Sequence, residues 1–351
     1  MTSYRQAYYM TVKKGKRKIW LTTLLIIEAI FLILIILFTW GYKKLEETID
    51  KIPRDISQDE EIIEPPEVII PEGYKNFLIF GVDTRDNSLK KGNSDTIIVV
   101  SINNKTHDVK MVSIYRDTYA FIPNIGYDKI NAAYANGGYS LAINTINLNY
   151  DLDIRKYVTV NFQIVVEAVD YLGGITLDIT KEELKYLNGY VRELNKVNGT
   201  DVPGLKSAGT QNVNGTQATA YARIRYTAGG DFKRTERQRI VLDKMFEKAK
   251  KLGIAKLNKM VDKFLPMIYT NLSNKDIIDL LKYFFSYDIV EQTGFPFEKE
   301  AKTYQRLSYV FPINLYENVA KLHLMLFEEE NYIPSANVQD YSSYIEVIRN
   351  N

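Results

Sequence analysis

The sequence predicts an α/β protein with a central mixed β-sheet flanked by helices on both faces, preceded by one transmembrane helix. Three observations predict it. A predominantly apolar run occupies residues 19–41. Short β-branched runs recur between 76 and 179, interleaved with helical periodicity. From Asn214 to about residue 251 the pattern is helical, interrupted at Gly229-Gly230. Strands alternating with helices call for a sheet covered on both sides.

The first 18 residues carry Arg5, Lys13, Lys14, Lys16, Arg17 and Lys18 and no acid. The next 23, IWLTTLLIIEAIFLILIILFTWG, contain one charge, Glu28. As a helix this segment spans roughly 35 Å, enough for a bilayer core of about 30 Å. Trp20 and Trp40, the only tryptophans, mark its two ends, where indole rings favour the interface. The basic flank places the amino terminus in the cytoplasm and the remainder outside the cell, at the cell membrane. A cleaved signal peptide would have a shorter apolar core and a small-residue cleavage site. Taking the six basic charges and Glu28 from the net +2 leaves −3 on the rest, which gives no general attraction for nucleic acid. With no cysteine, thiolate metal sites, disulfides and cysteine nucleophiles are excluded.

Residues 42–73 read as an extracellular stem: a charged stub, then EEIIEPPEVIIPEG, whose Pro65, Pro66 and Pro71 oppose a helix. The main domain then covers 74–330. NFLIFGVD (76–83) is a buried strand, and TIIVVSI (96–102) and VKMVSIY (109–115) pair as a hairpin across NNKTHD. Helices follow around 139–149 and 163–172 with a strand at 157–162 between them. GGITLDI (173–179) is another strand, and amphipathic helices are expected near 254–268 and 274–286. Residues 331–351 read as a poorly specified tail.

Three segments carry chemistry. In GVDTRDNSLKKGNSDT, Asp83 closes one apolar run and Asp95 precedes the next. Two carboxylates at neighbouring strand ends suit a hard cation, or are simply a turn residue and a cap. YARIRYTAGGDFKRTERQR packs Arg223, Arg225, Lys233, Arg234, Arg237 and Arg239 into 19 residues, with Asp231 placed to cap the following helix. Guanidinium groups bind phosphate oxygens in pairs, although such runs also serve as solvated faces. In SIYRDTYAFIP, Arg116 and Asp117 leave a hydrophobic strand as either a rim ion pair or part of a site. His107, in the hairpin turn, and His323, in a late helix, lie away from these strand ends.

Together with KINAAYANGG, VNFQIVVEAVDYLGGI and VNGTQATAYARIRY, these strings, in this order over roughly 74–250, resemble the LytR-CpsA-Psr family. The resemblance implies an extracellular, Mg2+-dependent phosphotransferase. Such an enzyme moves a phospho-linked glycopolymer, of teichoic acid or capsule type, from a polyprenyl-pyrophosphate carrier to peptidoglycan. It implies Asp83 and Asp95 as metal ligands. It gives Arg116, Arg223, Arg225, Arg234 and Arg237 as the catalytic arginines, with Asp117 and Gln238 beside the substrate. It also implies an apolar tunnel for the lipid, with 139–149, 163–172 and 234–251 as candidate walls. Where the family usually has an arginine, this chain has Asn93; Arg85 or Lys91 is placed to supply that charge. A hydrolase of the same pyrophosphate, and a non-catalytic lipid-phosphate binder, share these requirements. A DNA-reading regulator does not fit, because 18 cytoplasmic residues are too few to fold.

Overall fold

The computed structural model describes residues 43, 47–54, 56–63, 68–82 and 94–351. The chain divides into Met1–Lys51 and Ile52–Asn351. Of the first unit, the described part is a helical turn at 47–49 and its flanking residues. No helix among the described residues is long and apolar enough to cross a membrane, and the expected span at 19–41 lies outside them.

The second unit begins its sheet with β1 (Tyr74–Val82), β2 (Ser94–Asn103) and β3 (Asp108–Ile114), antiparallel neighbours in turn. The β2–β3 turn places His107 at φ 65°, where the sequence anticipated a hairpin. The hairpin of β4 (Tyr119–Ile122) and β5 (Gly126–Lys129) follows, then α1 (Asn131–Tyr150), β6 (Tyr157–Asn161) and α2 (Phe162–Tyr171). Next come β7 (Ile175–Ile179), α3 (Lys181–Asn198), β8 (Gly209–Val213), α4 (Gly215–Ala222) and α5 (Gly230–Lys250). The chain closes with α6 (Ile254–Phe264), β9 (Tyr269–Thr270), α7 (Asn274–Lys282), β10 (Asp288–Phe295), β11 (Lys299–Tyr304), β12 (Leu307–Pro312), α8 (Leu315–Phe327) and α9 (Ala336–Asn350).

The main sheet has the order β10-β3-β2-β1-β6-β9, with β10–β3 and β1–β6 parallel and the other pairs antiparallel. Alternation along its strands separates two cores. Leu78, Phe80, Ile97, Val99, Val112 and Ile114 face α1, α8 and α9. On the other face Ile98, Val100, Ile102 and Met111 meet Leu242 and Phe246 of α5. A satellite core joins β7 and β8 to α3, α4 and α5. The mixed sheet with helices on both faces is therefore the predicted one.

The expected strand at 173–179 pairs with β8 outside the main sheet, because its inward residues Ile175, Leu177 and Ile179 feed the satellite core. Three expectations change. Residues 331–351 do not end in a loose tail: α9 is capped by the Ser335 hydroxyl and buries Val338 and Ile345 in the main core. Residues 58–63 of the stem do not stand free of the domain. Asn144 holds the Ile63 N–H at 2.8 Å and donates to the Glu61 carbonyl at 2.7 Å, and Tyr139 donates to Asp59 at 3.1 Å. That segment crosses a kink in α1 at Gly138, φ 66°, where a Cβ would sit 2.7 Å from the Gln58 side chain. Finally, α1 packs on the face away from α5, so 139–149 lines no space beside the arginine-rich helix.

Candidate functional site

Strand polarity gathers the chemistry at one edge of the sheet. Val82 at the end of β1 pairs with Ser94 at the start of β2, one residue before Asp95. Ile114 at the end of β3 lies opposite Ile97, so Tyr115, Arg116 and Asp117 leave the sheet at that same edge. Onto this edge come the residues that follow α4 and the first turn of α5. Gly229 and Gly230 hold φ of 89° and 50° between them, a left-handed turn that a residue with a side chain rarely adopts.

Asp95 is the centre. Arg116 donates to its carboxylate in a short hydrogen bond, Arg225 lies 3.9 Å from the same carboxylate, and Arg234 donates to its backbone carbonyl at 3.3 Å. Asp231 is a second acidic hub, 3.0 Å from Arg234, 3.8 Å from Arg116 and 4.0 Å from Arg225. Asp117 lies 3.6 Å from Arg116 and is held by Lys129 at 2.8 Å. Among the described residues four cations thus meet three carboxylates, one positive charge in excess.

Burial gives that excess its force. Arg234 is 3% exposed; burial pushes its pKa down to about 10, with Arg116 and Arg225 adding to the fall and Asp231 and Asp95 opposing it. Burial also works against the charge on Arg116, but Asp95, Asp231 and Asp117 outweigh it and raise its pKa. The Nε groups of Arg116 and Arg234 are buried with no hydrogen-bond partner among the described residues. Buried donors of this kind call for an acceptor, and paired guanidinium groups match phosphate oxygens.

An apolar cavity adjoins the cluster, lined by Ile79, Ile98, Val165, Ala222, Val241 and Leu242 among others. Thr96, next to Asp95, and Gln238, one turn beyond Arg234, belong to its wall. Two of the expected tunnel helices, α2 and α5, therefore do line a cavity. A cluster with spare positive charge beside an apolar space suits an amphiphile with an anionic head.

The other candidates are dispersed around this centre. Arg223 donates to Glu193 at 3.0 Å, with its guanidinium 5.8 Å from Phe162 of the cavity wall. Arg237 is not in the cluster. It is bound on three sides, by Glu183 at 2.8 Å, the Ile224 carbonyl at 3.1 Å and Thr227 at 2.7 Å, and so braces the turn between α4 and α5. Asp231 sits in the first turn of α5 behind a Gly229 cap, serving the arginines rather than the helix end. Asp83, Arg85 and Lys91, like Asn93, lie outside the described residues. Lys129 and Glu183 did not stand out in the sequence. Their roles depend on partners 12 and 54 residues away, a distance no local pattern encodes.

Among the described residues no group of three or more acids or histidines is placed to hold a metal. Asp95 nevertheless offers a hard carboxylate, and Asp231 Oδ1 is buried with no hydrogen bond aligned on it. Such oxygens fit a hard divalent cation, with Asp83 the second carboxylate the sequence supplies.

The sequence profile of the LytR_cpsA_psr family matches residues 39–321. The chain belongs to this family. As a LytR_cpsA_psr member it is 33% identical over 278 residues to TagU of Bacillus subtilis, named a polyisoprenyl-teichoic acid–peptidoglycan teichoic acid transferase; the match covers 76% of this chain and 82% of that one. The chain spans about half the length of two other curated relatives it matches, 53% and 55%. Among solved LytR_cpsA_psr-like structures, protein gbs0355 of Streptococcus agalactiae aligns with a TM-score of 0.63 at 27% identity, covering 77% of this chain and 95% of that one. The family protein YwtF (TagT) with bound octaprenyl pyrophosphate aligns with a TM-score of 0.54 at 25% identity, covering 75% and 94%.

Proposed function

We propose that this LytR_cpsA_psr protein is a membrane-anchored phosphotransferase acting outside the cell. It moves a phospho-linked glycopolymer, of teichoic acid or capsule type, from a polyprenyl-pyrophosphate carrier to peptidoglycan. The observation that carries the reading is the convergence of Arg116, Arg225 and Arg234 on Asp95 and Asp231 beside an apolar cavity. Named relatives support it: TagU is called a teichoic acid transferase, and TagT was solved with a prenyl pyrophosphate. The apolar run at 19–41 is the anchor.

In this reading the prenyl chain occupies the cavity and the pyrophosphate meets the arginines. An acceptor hydroxyl attacks the phosphorus that carries the glycan. The new O–P bond forms as the bond to the polyprenyl phosphate breaks, and the hydroxyl proton passes to a base, for which Asp117, held in place by Lys129 at 2.8 Å, is the candidate. Phosphoryl transfer depends chiefly on positioning and charge neutralisation, the work for which Arg116, Arg225 and Arg234 are arranged. Asp83 and Asp95 would hold Mg2+, which when bound neutralises further charge on the pyrophosphate.

The test is to incubate the purified chain with a synthetic polyprenyl-pyrophosphate glycan and Mg2+, and follow polyprenyl phosphate release with and without peptidoglycan fragments. Release that requires the acceptor supports transfer. Equal release without it makes the protein a hydrolase, and tight binding with no release in either arm makes it a binder.

A further inference from the structure

Helix α5 carries one arginine that neither the candidate site nor the Glu183 brace uses. Arg234 serves the cluster and Arg237 the Glu183 brace, but Arg239 is 6% exposed and makes no hydrogen bond or ion pair among the described residues. Its NH1 is buried without an acceptor. Glu236, an acid whose charge acts on it, is held by Lys233 at 2.9 Å. Buried arginines are normally paired, and among the described residues this one has no such partner.

Its surroundings are unpaired in the same sense. Arg239 lies in the field of Tyr115, and the Lys299 ammonium sits 5.0 Å from the Tyr115 ring and 5.0 Å from the Phe232 ring. Lys299 has no acidic partner among the described residues and donates only to the Phe297 carbonyl, at 3.2 Å. Burial lowers the pKa of both Arg239 and Lys299. Ser113, two residues before Tyr115 on the face of β3 that α5 covers, has a buried hydroxyl with no partner. Opposite Ser113, Gly294 presents bare backbone; a Cβ there would sit 2.1 Å from the Tyr115 hydroxyl. The unmet groups of Ser113 and Arg239 can each donate, and among the described residues no carboxylate is bonded to Arg239 or Lys299.

We infer that Arg239, Lys299, Ser113 and Tyr115 form a second oxyanion site, which takes a phosphate group in the lipid-free part of the transferred polymer. Tyr115 is the chain neighbour of Arg116 and Phe232 that of Asp231, so the site backs directly onto the pyrophosphate cluster. A phosphodiester polymer carries phosphates at regular intervals and can occupy both. The assignment to polymer rests on the proposed function. The oxyanion chemistry is shared with free inorganic phosphate.

The test uses the full-length chain in detergent micelles, titrated calorimetrically with a lipid-free glycerol-phosphate oligomer and, separately, with inorganic phosphate. Lys299→Gln and Arg239→Gln are each expected to weaken oligomer binding about tenfold, the loss of one charge-assisted hydrogen bond. Affinity for polyprenyl pyrophosphate should stay within about twofold, since neither residue touches the first cluster. If only inorganic phosphate binding falls, the site stands and the polymer assignment fails. Unchanged binding of both anions in both variants overturns the site. Should Arg239→Gln fail to fold, Lys299→Gln decides alone. Absence of carrier binding in the wild-type chain would instead count against the proposed function.

Discussion

Arg237 donates to Glu183 at 2.8 Å with both side chains buried, although the two residues stand on different helices and 54 positions apart. Glu183 also accepts from its own helix start at Thr180, completing a capping box. One carboxylate therefore fixes the entry of α3 and, through Arg237, the turn that delivers Arg225 and Arg234 to Asp95. Removing one member of a buried pair strands the other. Arg237→Ala is expected to cost about 3–5 kcal/mol of stability, read from urea unfolding midpoints, with activity lost through unfolding rather than chemistry.

The same pair sets an acid limit. Burial alone would raise the Glu183 pKa, but hydrogen bonds from Thr180 and Arg237 outweigh it and hold the carboxyl below its ordinary value. A depressed folded pKa stabilises above the unfolded value, near 4.3, and that stability is lost as pH falls through the folded value. Glu183→Gln should therefore destabilise fully at pH 7, and its difference from wild type should shrink below about pH 4. Unfolding curves from pH 7 to pH 3 check this.

The unpaired donors of Arg234 and Arg116 make the cluster an anion sink. Pyrophosphate at a hundredfold its Kd should stabilise the fold by about 2.7 kcal/mol. Arg234→Lys keeps the charge but loses the fork, and most of this thermal shift should vanish with it. A melting scan with and without the anion reports both.

Ala222 lines the apolar cavity at the end of α4, one residue before Arg223. Ala222→Phe should fill part of the space and reduce affinity for a prenyl pyrophosphate by more than about tenfold, since each excluded methylene forfeits roughly 0.8 kcal/mol. Binding of free pyrophosphate should not change. A titration with each ligand separates tail from head.

Much of this was legible in the sequence where the signal was local. The β2–β3 hairpin, α2, the break at Gly229-Gly230 and the arginines of α5 follow from alternation, periodicity and turn chemistry within a few residues. Arg116, Arg225 and Arg234 were marked by their position at strand ends and beside the glycine turn, and the fold brings them together.

What stayed hidden depended on distant partners. Arg234 and Arg237 look equivalent in R-x-x-R, yet one turn of helix gives the first to Asp95 and the second to Glu183. Asp231 resembled a cap because nothing near it in the chain reveals that three arginines converge there. Residues 331–351 looked loose because polar residues dominate, but Val338 and Ile345 suffice to dock α9 once α8 and the β4–β5 hairpin offer a surface. The 56–63 segment has few apolar residues of its own, and side-chain donors and acceptors on α1 do much of its anchoring.

The most direct measurement is transfer of a polyprenyl-pyrophosphate-linked glycopolymer onto peptidoglycan oligomers by the full-length chain, comparing wild type with Arg116→Ala and with EDTA present. The account predicts polymer-linked peptidoglycan from the wild type. It predicts a loss of at least about a hundredfold in Arg116→Ala, the scale expected when a charge-stabilising donor is removed, and a comparable loss with EDTA. Undiminished transfer by Arg116→Ala, in a protein that still folds, would contradict it.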